Sequence, residues 1–136
     1  YGYTSAYPDQ FSASSTGCGE ETSAGCNWNQ STLTRLTWEA MAGEYPWYRH
    51  PENTEAVNGV ITGTCIDPSC ASIEFLMNLL VEYRGIKDHA SGNDEFPSTP
   101  EAVKTKLSET AIGQEMLTIL EDSVYNQLLN GLTRNY

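Results

Sequence analysis

The chain has 136 residues, of which 7 are basic and 18 acidic, giving a net charge of −11. That length supports one compact core. The charge excludes a nucleic-acid role, because the basic residues are scattered from Arg35 to Arg134 and form no cluster that could release counterions from phosphates. The longest apolar island, Ile73 to Val81, is far short of the roughly 18–20 residues a membrane span requires, so no membrane insertion is expected.

Residues 1–30 are rich in Ser, Thr, Gly and Tyr and contain no Leu, Ile, Val or Met. No helical period is present, and the segment is too polar to offset its own ordering entropy. It reads as an extended N-terminal arm, with residues 31–136 as the helical domain. Its Tyr1, Tyr3, Tyr7 and Phe11 are candidate anchors for docking, either on a partner or a neighbouring copy or, where the arm wraps its own domain, on the helical body. Asn29-Gln30-Ser31 matches a glycosylation sequon, which marks Asn29 as a candidate modification site.

From Ser31 onward the apolar spacing predicts a helix over 32–44, with Leu33, Leu36, Ala40 and Met41 on one face, ended by Gly43 and Pro46. A second, weaker helix is expected over 52–63, where Ala56, Val57, Val60 and Ile61 share a side. The third has the strongest signals: Asp67 as N-cap, Pro68 at the first turn and Gly85 beyond the end. Ile73, Phe75, Leu76, Leu79 and Leu80 make it the central, most buried helix. A polar loop over 86–99 follows. Pro100 then opens a long helix through Val103, Leu107, Met116, Leu120, Val124, Leu128 and Leu132, with a kink or split expected near 108–113. The fold class is all-α, a small bundle of four to five helices with an irregular, disulfide-tethered N-terminal arm.

Four cysteines, Cys18, Cys26, Cys65 and Cys70, point to two disulfides and an oxidising compartment. A zinc site is the poorer fit, because the Cys18-x₇-Cys26 spacing exceeds the usual ligand spacing. Three connectivities are open. Local pairing would close two small loops, whereas crossed pairing would staple the arm to the third helix. The longer loop restricts the unfolded chain more, which favours the crossed arrangement. The first residue is Tyr1 and no basic, apolar leader follows it, which reads as a mature secreted chain, extracellular or periplasmic.

Trp38, Tyr45, Trp47 and Tyr48 crowd one segment; they either form the lid of the core or present a candidate binding surface. A carbohydrate-binding module would need two of them exposed and coplanar. The two histidines, His50 and His89, each have acidic neighbours in sequence, which allows a small hydrolase or lyase. No nucleophile elbow, zinc-protease signature or phosphate loop accompanies them. The acidic loop after Asp88 lacks the oxygen ligands and terminal Glu of a calcium hand. No cofactor or metal is implied. The leading expectation is a secreted or cell-surface, non-catalytic protein that works through protein–protein contacts, as a subunit of an extracellular assembly or as a secreted ligand.

Overall fold

The computed structural model describes residues 7–85 and 96–122. Within them lie five helices: α1 (Pro8–Phe11), α2 (Thr32–Ala42), α3 (Pro68–Arg84), α4 (Pro100–Ser108) and α5 (Ala111–Glu121). Helices α2, α3, α4 and α5 close a ring in which each packs chiefly on two neighbours, and α1 packs against α2. The all-helical class is therefore realised.

Each long helix begins on a side chain suited to the task. Ser31 Oγ accepts the Thr34 N–H, and Thr34 Oγ1 accepts the Ser31 N–H, forming a reciprocal capping box. Thr99 and Thr110 cap α4 and α5 more simply, their side chains accepting the Ala102 and Gly113 N–H groups. Asp67 caps α3, and Gly85 ends it in the left-handed conformation that a glycine adopts without a Cβ penalty.

The Asp67 cap also ties down the arm. Its Oδ1 accepts the Cys70 N–H at 3.0 Å and hydroxyls from Ser69 and Ser15 at 2.6 and 2.5 Å. Partial burial pushes its pKa up, but the hydrogen bonds from Ser15, Ser69 and Cys70 together outweigh that, and the carboxyl sits below its ordinary value. A depressed folded pKa means that the ionised cap stabilises fully above the unfolded value near 3.9 and is lost as pH falls through the folded value. Asp67→Ala is expected to cost about 1 kcal/mol at pH 7. Urea titrations from pH 7 to pH 2 should show this deficit closing below about pH 4 as the native cap protonates. A deficit independent of pH would assign the cap no ionic role.

The core is filled by Leu33, Leu36 and Ala40 of α2, Phe75, Leu76, Leu79 and Leu80 of α3, Val103 and Leu107 of α4, and Met116 and Leu120 of α5. The C-terminal run does split. Helix α4 stops at Ser108, and Thr110 caps a new helix. The close approach centres on Gly113, where a Cβ would collide with the Leu107 carbonyl, so α5 can turn back tightly against α4. Val124, Leu128 and Leu132 lie outside the described residues, as does most of the 86–99 loop.

Two expectations are overturned. Residues 52–63 are not a helix but a two-residue turn between short paired segments. Val57 and Val60 exchange N–H···O bonds at 2.9 and 3.0 Å, and the Thr54 N–H reaches the Thr62 carbonyl at 2.8 Å. Asn58 and Gly59 both adopt positive φ, 52° and 75°. Two consecutive left-handed residues cannot continue an α-helix, and Asn-Gly between β-branched residues is the strongest short hairpin signal.

The disulfides are local, Cys18–Cys26 and Cys65–Cys70, not crossed. The reason is geometric. The turn into α3 at Asp67 returns Cys70 to within a Cα separation of 5.3 Å of Cys65, and the turns at Gly17 and Gly25 do the same for the first pair. The arm is fastened by other means. Gln30 and Ser14 exchange two hydrogen bonds, Ser31 Oγ donates to the Ser12 carbonyl, and Ser23 pairs with Ile61. Phe11 and Trp28 enter the core.

Candidate functional site

The aromatic segment after α2 is divided by the fold. The Trp47 and Tyr48 N–H groups both donate to the Ala40 carbonyl, at 2.8 and 3.0 Å, turning the chain back over the end of α2. This drives both rings inward. Trp47, Tyr48, Phe75 and Phe96 form a cluster with ring centroids 5.1–6.2 Å apart, mostly edge to face. Trp47 and Tyr48 are thus core residues, as the lid reading has it, and not part of a binding surface. Tyr45 alone of that group stands out, 81% exposed, so the four do not offer the two exposed, coplanar rings that a carbohydrate-binding module built on them would need.

Trp38 joins a different partner. Its ring stacks on Trp28 with centroids 4.9 Å apart and planes 25° from parallel. The disulfide-closed turn 18–26 delivers Trp28 to this place, and α2 supplies Trp38 and, nearly one turn earlier, Arg35. Together they line an open groove of about 490 Å³ whose walls also include Cys26, Asn27 and Asn29. Asn27 Oδ1 accepts the Asn29 N–H at 2.9 Å. The Asn27 amide NH₂ and the Asn29 side chain have no partner among the described residues. The Trp28 Nε1–H is buried without an acceptor there as well, a desolvation penalty of about 1–3 kcal/mol. Arg35 reaches Glu115 at 3.5 Å across the surface.

The arm residues divide similarly. Phe11 is fully buried within its own chain, so it is an internal anchor and not a contact for a neighbour, and Tyr7 packs partly against the same core. Their apolar surface is satisfied by α2 and its surroundings. Tyr1 and Tyr3 lie outside the described residues. Asn29 is exposed, although Ser31 of its sequon is buried as the α2 cap.

His50 Nδ1 accepts the Glu52 N–H at 3.1 Å, which commits that nitrogen to closing a turn. His89 lies outside the described residues. Among the described residues no cluster of three metal-ligating side chains is present, and no helix is long and apolar enough to cross a membrane.

The described residues form a helical ring with two cystines and a hydrogen-bonded, irregular face. No protein-family model, curated protein or solved structure matches the chain. Sequence reading did not single out Trp28, Asn27 or Arg35. The available signal was Trp28 itself, the only large apolar residue between Phe11 and Leu33 and two positions after a cysteine.

Proposed function

We propose that the chain is a secreted or cell-surface, non-catalytic contact domain, working as a subunit of an extracellular assembly or as a secreted ligand. The observation that supports this best is the treatment of the irregular face. Residues 12–30 and 43–66 contain no regular helix, yet two cystines and numerous side-chain–backbone hydrogen bonds hold them in a single arrangement. A rigid scaffold presenting fixed loops is the usual form of a recognition surface. Tyr45 and Val57 protrude from that face, at 81% and 67% exposure. Cystines of this kind persist where thiols are not kept reduced, which suits an extracellular location.

The partner is a protein or a second copy of the chain, engaged with the leading residues Tyr1 and Tyr3. The test follows from where the arm is anchored. A deletion that reaches Phe11 empties the core and unfolds the domain, so the informative truncation stops before Tyr7. Removing residues 1–6 is expected to leave helical circular dichroism and the melting temperature within about 2 °C of the full chain. It should also abolish self-association, read by light scattering, or the capture of a cognate partner. A full-length chain that remains monomeric at high concentration, with partner binding unaffected by the truncation, overturns the role of the leading segment.

A further inference from the structure

We infer that the Trp28–Trp38 groove is a binding site for a small neutral oligosaccharide. This goes beyond the contact reading and does not depend on it. The groove meets the chemical requirements of a sugar. Carbohydrate rings present an apolar C–H face that lies against an indole, and hydroxyls around the edge that seek planar donors and acceptors. Here the partly exposed indole of Trp38, backed by the buried Trp28 ring stacked on it, supplies the apolar wall. The unpaired amides of Asn27 and Asn29 and the guanidinium of Arg35 supply the polar groups around it.

Charge argues for a neutral occupant. No acidic side chain lines the groove, and its one cation is already associated with Glu115. A phosphate or carboxylate ligand would have to compete with that pair and approach a molecule of net charge −11. The volume lies in the usual range of about 300–1,000 Å³ for small-ligand sites. The wall is also preformed. At Gly25, whose φ is +85°, a Cβ would press against the Gly17 carbonyl, and the Cys18–Cys26 bond closes the same turn.

The test uses the whole chain, made in a bacterial periplasm with its disulfides formed and no glycan on Asn29. Cellotetraose, N-acetylchitotriose, mannotriose and a neutral Leu-rich peptide are titrated while the three indole N–H resonances are followed by NMR. At least one saccharide is expected to shift Trp28 and Trp38 and leave Trp47 unmoved, since Trp47 is held among Phe75 and Phe96. An open groove with few contacts implies a Kd on the order of 0.1–1 mM. Trp38→Ala should weaken this about tenfold or more. Arg35→Ala, at an exposed position that leaves the fold intact, should weaken it several-fold. No movement of Trp28 or Trp38 with any saccharide at 10 mM, unchanged affinity in both variants, or binding of the peptide alone would each overturn the assignment.

Discussion

Phe75→Ala is expected to lower the free energy of unfolding by about 3–5 kcal/mol, the largest effect of any single substitution considered for this protein. Phe75 is fully buried on α3 and touches three other aromatic rings, those of Trp47, Tyr48 and Phe96. Removing its ring deletes the shared partner of the loop after α2 and of Phe96, which is buried ahead of α4. The cavity cannot close easily, because Trp47 and Tyr48 are fixed through their backbones to Ala40. Native domains have only about 5–15 kcal/mol in hand, so the variant should melt roughly 10–20 °C lower. Guanidinium unfolding followed by Trp fluorescence measures the change. Phe75→Leu, which keeps most of the volume, should recover more than half of the loss. Equal losses in the two variants would show that the ring contacts, not the filled space, dominate.

Asn53→Ala is expected to cost about 2–4 kcal/mol, through a different mechanism. Asn53 is a buried polar residue whose side chain acts as a backbone surrogate. Its Nδ2 donates to the Cys65 carbonyl at 2.5 Å, and its Oδ1 accepts the Cys65 N–H at 3.0 Å. Cys65 is itself 1% exposed, so truncating Asn53 leaves two buried main-chain groups without partners. The damage should concentrate in the irregular face. Amide exchange at Ile61 and Cys65 should accelerate well before that of α3.

Asn53→Asp separates charge from shape. At neutral pH its carboxylate retains the N–H acceptor but opposes the Cys65 carbonyl. Burial and that carbonyl raise the introduced group's pKa, so its penalty should shrink as pH falls and the protonated acid regains a donor. The comparison is the difference from the native protein at each pH, which cancels the acid sensitivity that both share. A penalty that stays constant from pH 7 to pH 4 would rule out this account of Asn53.

Much of the helical half is legible in the chain without coordinates. Ser31, Asp67-Pro68, Thr99-Pro100 and Gly85 are local signals, and each acts within a few residues of where it stands. The irregular half resists such reading for a definite reason. Residues 52–63 have apolar residues at helical spacing, and the competing Asn58-Gly59 turn, closed locally by Thr54 and Thr62, prevails with the help of hydrogen bonds between Ile61 and Ser23, 38 positions away. Loop-closure arithmetic favoured the crossed disulfides. That arithmetic treats the unfolded chain, whereas pairing is governed by which sulfurs the folded turns bring together.

The composition and local order of this chain therefore determined an acidic, helical, cystine-containing protein and most of its helix boundaries. Capping, proline placement and apolar period are short-range properties that survive in any context. The tertiary structure alone decided which tryptophans became core and which became groove. Trp38 and Trp47 are both aromatic and lie nine positions apart, yet Trp47 is drawn under the ring of Phe75 while Trp38 meets Trp28 from the arm. That choice rests on the Ala40 carbonyl turning one ring inward and on a disulfide turn carrying Trp28 onto the ring of Trp38. Neither event is encoded by the residues next to the tryptophans, because both depend on where separate parts of the chain meet.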